Sequence, residues 1–216
     1  MDIQAKLTGF AMLGATWVMW VLVGLSIGGV AIALDRAIYL IRTSDNYRRL
    51  KRDLLAFLRV GNVDAARDRL AASRSVEAQI AAAGLIDPED GAASAEERIA
   101  GATQVAKIRM ERRLAFLGTL GSNAPFIGLL GTVIGIIRAF AELNESAGKV
   151  TAGLMSEVGE ALVATAIGIM VAIPSIAVFN AYQRVIKTRI ARAESLGREV
   201  LAYLKSDRTA HSVPVA

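Results

Sequence analysis

The chain has 216 residues, of which 54% are apolar and 21% charged, and 25 Lys and Arg residues stand against 20 Asp and Glu. Such an apolar composition with long uncharged stretches is unusual for a soluble domain and typical of a membrane protein. With no Cys and a single His, His211, the chain has no disulfide framework, no thiol nucleophile and no Cys/His metal site.

Three uncharged stretches predict three transmembrane helices. Residues 7–34, 114–137 and 161–183 contain no Asp, Glu, Lys or Arg. With a helical rise of about 1.5 Å per residue, each stretch can cross a hydrocarbon core of about 30 Å. We therefore predict membrane spans at residues 11–34, 114–137 and 161–183 of an all-α membrane protein.

The first span has an alternative interpretation as a signal peptide, because Ala31-Ile-Ala33 resembles a small-residue cleavage site. However, the apolar run is too long for the core of a signal peptide. The basic flank, which includes Arg36 and Arg42, also follows the run instead of preceding it. We therefore expect a retained membrane anchor.

The positive charges indicate an orientation. Of the 25 Lys and Arg residues, 15 fall in residues 35–113 and 7 after residue 183. The positive-inside rule places these parts in the cytoplasm, so that the N-terminus is periplasmic and the C-terminus cytoplasmic. The basic excess therefore needs no nucleic acid as a partner.

The remaining predicted segments are a short periplasmic N-terminus (1–10), a cytoplasmic helical section (35–113), a periplasmic connection with the start of the third helix (138–160), a cytoplasmic extension of that helix (184–206) and a disordered tail (207–216).

The cytoplasmic section is predicted to be helical, because helix-forming residues dominate it and strand-like alternation is absent. Asn62 is expected to cap a short helix over Val63–Ala72. Two apolar stripes at helical spacing each predict a buried face. The first contains Leu50, Leu54, Phe57 and Leu58; the second, which extends the third span, contains Ile186, Ile190, Ala193, Leu196, Val200 and Leu204.

A second long helix is predicted to lead into the second span. Ser94 and Glu97 have the spacing of a capping box, and no Pro follows until Pro125. We therefore expect one helix from Ala95 to about Leu143. Pro125 and Pro174 lie inside the second and third spans, where each removes a backbone hydrogen bond and is expected to kink its helix.

Small residues recur on one face of the second and third spans. Such a face lets another helix approach closely, which is how helices associate in lipid. Its partner could be another helix of the same chain or a helix from outside. The small residues at issue are Gly128, Gly131 and Gly135 in the second span and Ala161, Gly168 and Ala172 in the third.

Polar residues at the membrane are the candidate functional groups. Glu160 opens the third span, with Thr165 five residues deeper, and Thr132 lies in the second span. A carboxylate here has two interpretations: an interfacial group near a helix N-terminus, or a functional group at membrane depth. Each threonine also has two interpretations, a functional group or a purely structural one, because such hydroxyls often bond only to the backbone of their own helix.

Two stretches together resemble a known family. They are Asn123-Ala-Pro-Phe-Ile-Gly-Leu-Leu-Gly-Thr-Val-Ile-Gly-Ile136 and Glu160-Ala-Leu-Val-Ala-Thr-Ala-Ile-Gly-Ile169, the second followed by Ala172-Ile-Pro-Ser and Asn180. They cover about a third of the chain and resemble the MotA/TolQ/ExbB proton channel family. Three spans instead of four place the chain beside ExbB and TolQ. Three residues depart from the pattern: Leu130 and Ile134 occupy positions that are often aromatic in those branches, and Arg138 places a cation soon after the second span.

The resemblance implies a homopentameric ring in the bacterial inner membrane. The ring would surround two copies of an ExbD/TolR-like single-span protein, whose aspartate takes up and releases protons. By motif position, Glu160, Thr165 and Thr132 match family residues of the proton pathway. The six small residues named above would then face the pore. The resemblance further implies a TonB- or TolA-like partner, no cofactor and no enzymatic activity.

Other functions stay open. A Tol-type envelope-maintenance motor or a gliding motor would use the same ring. A passive scaffold, in which the small faces only assemble helices, is an alternative of another class. An intramembrane hydrolase is disfavoured, because the spans contain neither a histidine nor a second carboxylate.

Overall fold

A computed structural model describes the backbone of residues 14–211 and the side chains up to residue 206. The described part is helical, with one short 3-10 turn at Pro88–Asp90. The helices are α1 (Thr16–Arg42), α2 (Tyr47–Arg59), α3 (Val63–Ala71), α4 (Val76–Ala83), α5 (Ala92–Glu111), α6 (Leu114–Glu145) and α7 (Ala152–His211). The all-α prediction is confirmed.

The chain divides into two compact units. The first, the membrane unit, comprises Met1–Leu34 and Arg113–Ala181; the second, the polar unit, comprises Asp35–Arg112 and Tyr182–Ala216. Within the described residues, three helical segments are long and apolar enough to cross a membrane: Thr16–Arg59, which includes α1 and α2, Leu114–Glu145, which is α6, and Ala152–Ser206, which is most of α7. This result confirms the three predicted membrane-capable helices.

The membrane unit buries mostly small residues and turns its large ones outward. Its buried cluster combines alanines such as Ala124 and Ala172 with larger side chains such as Leu22 and Leu120, and most of its other buried residues are glycine or alanine. Large apolar side chains on the same helices are exposed, among them Trp20, Ile27, Phe126, Phe140 and Ile173. Such outward apolar faces suit contact with lipid or with other membrane helices.

The polar unit has a leucine-rich core, as both stripes predict. Leu50, Leu54 and Leu58 of α2 are buried in one cluster with Leu196, Val200 and Leu204 of α7, and Phe57 packs against it.

Three helices of the polar unit are capped by side chains that immediately precede them. Asn62 accepts a hydrogen bond from the backbone N–H of Ala65, which confirms the predicted cap of α3, and Asn46 and Ser75 cap α2 and α4 in the same way.

The predicted single helix from Ala95 to Leu143 is wrong. α5 ends at Glu111, Arg113 adopts a left-handed conformation with φ 65°, and α6 begins at Leu114. One cause is a remote partner, because the Arg36 guanidinium donates to the carbonyl oxygen of Arg109 at 3.1 Å. A cation at this position satisfies a carbonyl that the end of a helix leaves free.

Two helix ends also differ from prediction. α5 begins at Ala92 after Gly91, whose φ of 86° suits glycine, so the capping box at Ser94 and Glu97 does not form. α7 is continuous from Ala152 and confirms the long extension of the third helix. It also continues to His211, into the segment predicted to be disordered. The predictions for residues 1–10 and 212–216 lie outside the described residues.

Candidate functional site

A pair of threonine hydroxyls joins α6 to α7. The side chains of Thr132 and Thr165 are hydrogen-bonded to each other through their Oγ1 atoms. Both hydroxyls also reach the carbonyl oxygen of Gly128, from Thr165 at 3.1 Å and from Thr132 at 3.3 Å. Thr165 therefore does not bond only to its own helix. The two predicted threonines form one half-buried polar cluster.

The hydroxyls meet because glycines let the two helices touch backbone to backbone. A methyl group added at Gly128 would lie 2.8 Å from the carbonyl oxygen of Ala164. A methyl group added at Gly168 would lie 2.6 Å from the carbonyl oxygen of Ala124. Real Cβ atoms do not approach backbone oxygens so closely, so both positions require glycine.

The six small residues are buried in contacts within this chain, chiefly between α6 and α7. Tight packing within the chain, the alternative interpretation, accounts for this burial. That these residues face a pore stays a prediction. They are Gly128, Gly131, Gly135, Ala161, Gly168 and Ala172.

The two prolines lie inside continuous helices, Pro125 in α6 and Pro174 in α7. Ser122 and Asn123 precede Pro125, and both donate to the carbonyl oxygen of Thr119, at 3.1 and 2.8 Å. These side chains therefore bond to a carbonyl oxygen six residues before Pro125. Kinking at the two prolines stays a prediction.

Glu160 is bonded to a residue that sequence patterns did not single out. The Thr16 hydroxyl, at the first residue of α1, donates to Glu160 Oε1 at 2.6 Å. Glu160 is half-buried and lies more than two turns inside α7. Because Thr16 precedes Glu160 by 144 residues, no local spacing could have revealed the pair.

A second carboxylate lies one turn earlier on α7. Glu157 forms an ion pair with Arg138 of α6, with 2.8 Å between Oε1 and Nη2. The guanidinium of Arg138 also packs against Gly14, where an added methyl group would lie 2.5 Å from Nη1. Within residues 14–206, the structure contains no group of three or more His, Cys, Asp or Glu side chains that could hold a metal ion.

The fold and these contacts define a multi-span helical membrane protein that holds hydroxyl and carboxylate groups at its helix contacts. A family model described as the MotA/TolQ/ExbB proton channel family matches residues 72–195. The chain belongs to this family. The matched region includes Thr132, Glu160 and Thr165.

Curated relatives carry ExbB names and support the ExbB/TolQ branch. Biopolymer transport protein ExbB of Salmonella typhimurium is 31% identical over 173 residues, which cover 74% of this chain and 70% of the relative. An ExbB-like 2 biopolymer transport protein of Helicobacter pylori is 45% identical over 34% of this chain and 49% of its own length. For ExbB of Xanthomonas campestris the identity is 36%, over 43% of this chain. The chain thus spans about half of the Helicobacter relative and 36% of the Xanthomonas relative.

Proposed function

We propose that this chain is the ring-forming subunit of a motor in the bacterial inner membrane that is driven by the proton-motive force. Five copies surround a central pore that holds two copies of an ExbD/TolR-like single-span protein. Movement of that partner energises an envelope process, such as TonB-dependent transport across the outer membrane. The family membership and the ExbB names of the relatives support this proposal.

The observation that carries the proposal is the threonine pair on the Gly128 carbonyl oxygen. A hydroxyl both donates and accepts, so it can bond to a carboxyl group in either protonation state. Polar side chains inside a membrane are expensive and usually mark a pathway or a partner. Because Thr132 and Thr165 are only half-buried in the chain, a carboxyl group of the partner helix can exchange hydrogen bonds with them.

The proton-motive force supplies enough energy for such a conformational step. One elementary charge that crosses 100 mV releases about 2.3 kcal/mol, so a few protons can drive a conformational step of several kcal/mol. The chain supplies hydroxyls and a carboxylate for this transfer, while the partner supplies the acid that carries the proton. The proposed orientation places the 22 Lys and Arg residues of residues 35–113 and 184–216 in the cytoplasm.

The composition of the complex tests the assembly. Extraction in a mild detergent followed by native mass spectrometry should give five copies of this chain with two copies of a smaller single-span protein. Recovery of a monomer would contradict the ring. The identity of the copurified protein distinguishes transport from Tol-type or gliding functions.

Two variants separate a motor from a passive scaffold. Glu160→Gln and Thr165→Val should leave the mass of the complex unchanged and abolish the energised envelope function in cells. Thr188→Val is the matched control, because within the described residues the Thr188 hydroxyl donates to the Arg184 carbonyl oxygen of its own helix. If both site variants support wild-type function, the motor is excluded and the scaffold remains.

A further inference from the structure

The part of α7 that follows its uncharged stretch is rich in positive charge. Residues 184–193 include Arg184, Lys187, Arg189 and Arg192 and contain no Asp or Glu. The Arg189 side chain is buried and donates to carbonyl oxygens around the end of α1. The other three cations are exposed.

These three cations line one groove of the polar unit, which we call the basic groove. It has a volume of about 560 Å³, and Tyr47, the first residue of α2, lines it as well. Among the described residues that line the groove, none is acidic. Glu77 interacts electrostatically with Arg192, but Glu77 is buried and does not line the groove. Because like charges one turn apart on a helix repel each other, this arrangement favours a bound anion.

The basic groove also offers hydrogen-bond donors that the chain itself does not use. Within residues 14–206, its three cations form no ion pair and the Ser195 hydroxyl forms no hydrogen bond. The Arg192 guanidinium lies over the Tyr47 ring, 5.3 Å from the ring centre. Such stacking leaves the N–H groups at the edge of the guanidinium free for an oxyanion. Thr188 is not among these donors, because its hydroxyl donates to the Arg184 carbonyl oxygen.

The position of the basic groove along α7 indicates a membrane surface. The uncharged stretch ends at residue 183, so Arg184 and Lys187 lie about 1.5 and 6 Å beyond it along the helix. The headgroup layer of one leaflet is about 5–7 Å thick. Side chains of a helix tilt towards its N-terminus, which for this part of α7 is the membrane side, so the longer side chain of Arg192 also leans towards the headgroups.

We propose that the basic groove binds the phosphate of an anionic lipid headgroup through Arg184, Lys187 and Arg192. The anion would offset the repulsion between the three cations. In the proposed orientation the groove faces the cytoplasmic leaflet, whose anionic lipids attract basic segments next to a span. The site uses none of the residues that we assign to proton transfer, so it can be tested independently of that function.

The detergent-extracted complex can be titrated with lipids and measured by native mass spectrometry, which counts the bound lipids. Phosphatidylglycerol and phosphatidylcholine with the same acyl chains are compared. The wild-type complex should bind phosphatidylglycerol about tenfold or more tightly than phosphatidylcholine, because only the first carries a net negative charge.

Variants of the groove should weaken this binding in proportion to the charge removed. One basic residue near a lipid surface contributes about fivefold in affinity, so Arg184→Gln and Lys187→Gln should each weaken phosphatidylglycerol binding about fivefold and the double variant about twentyfold. Lys187→Arg keeps the charge and should bind as the wild type does. Arg59→Gln is the matched control, because Arg59 is an exposed cation at the opposite end of α2 from Tyr47.

Three results would overturn the assignment: equal binding of the two lipids, unchanged phosphatidylglycerol binding in the double variant, or an equal loss in Arg59→Gln. Displacement of the lipid by inorganic phosphate at constant ionic strength would identify a site for free phosphate. Displacement by soluble decaglutamate would identify a site for an acidic protein segment. Either displacement excludes the lipid as the occupant. If the double variant does not assemble, the comparison of Lys187→Gln with Lys187→Arg decides.

Discussion

The membrane unit and the polar unit hold their helices together in different ways. In the membrane unit, α6 and α7 touch through glycines such as Gly128 and Gly168, where even a methyl group would collide with backbone atoms. In the polar unit, leucines such as Leu54 and Leu196 fill the space between helices. The difference follows from the solvent, because apolar side chains gain much by leaving water and little by leaving lipid.

The groups that make polar contacts between helices also differ between the two units. In the polar unit, buried arginines reach across to helix ends, as Arg189 does with the carbonyl oxygens of Leu40 at 2.7 Å and Thr43 at 3.1 Å. In the membrane unit, neutral hydroxyls make the cross-helix contact of Thr132 with Thr165 inside the uncharged stretches, and the ion pair of Arg138 with Glu157 lies outside those stretches. A hydroxyl is far less costly than a charge to place in a membrane.

The largest effect is expected in the leucine core. Leu54→Ala removes a fully buried side chain and should lower the stability of the polar unit by about 3 kcal/mol, because a cavity remains. Hydrogen exchange measured by mass spectrometry should speed up in α2 and in residues 190–204, with the membrane unit unchanged. Ile86→Ala, at a half-exposed position, is the control. Equal acceleration in both units would contradict their separate cores.

The next largest effect tests the glycine contact. Gly168→Ala should destabilise the membrane unit by about 2 kcal/mol, since the new methyl group meets a carbonyl oxygen that cannot move aside. Gly101 of α5 has open space around it, so Gly101→Ala should stabilise its helix by about 0.5–1 kcal/mol. Thermal unfolding of the detergent complex measures both changes. Effects of the same sign would show that packing at Gly168 is not tight.

The smallest effect concerns a buried carboxyl group in the polar unit. Glu77 is 5% exposed, and its Oε2 atom has no hydrogen-bond partner among the described residues. Burial raises the pKa of Glu77 above its ordinary 4.5, although Arg189 and Arg192 oppose the shift. Stability from this group is therefore full below pH 4.5 and is lost as the pH rises through the raised pKa.

Glu77→Gln should consequently stabilise the polar unit by about 1 kcal/mol at pH 7.5. The gain should shrink towards zero near pH 4.5, because the native carboxyl group is then largely protonated in the folded chain. Hydrogen exchange in α4 at the two pH values measures the difference. A gain that does not depend on pH would indicate a packing effect instead of titration.

Local patterns predicted much of the fold. Helical periodicity identified the buried faces around Leu54 and Leu196, and residue type identified the cap at Asn62, because these features depend on neighbours within a few turns. The interruption at Arg113 was missed, since no Pro or Gly marks it. Its partner contact starts at Arg36, 73 residues from the carbonyl that it satisfies.

Prediction of the candidate site was limited in the same way, because local patterns do not reveal contacts between residues that are far apart in the sequence. Periodicity identified the small face that includes Gly128 and Gly168, but it could not say which helix covers that face; in the structure, α6 and α7 cover each other there. Motif position selected Thr132 and Thr165, which the structure brings together. Thr16 carried no signal, because its importance depends on a contact with Glu160 at the far end of the sequence.

The central claim is that the threonine pair and Glu160 serve proton transfer, and proton flux tests it most directly. The purified ring with its single-span partner is placed in liposomes under a potassium diffusion potential, and internal acidification is followed with a pH-sensitive dye. We predict flux for the wild type and Thr188→Val, and none for Thr165→Val or Glu160→Gln in complexes of unchanged mass. Wild-type flux in both site variants would contradict the claim.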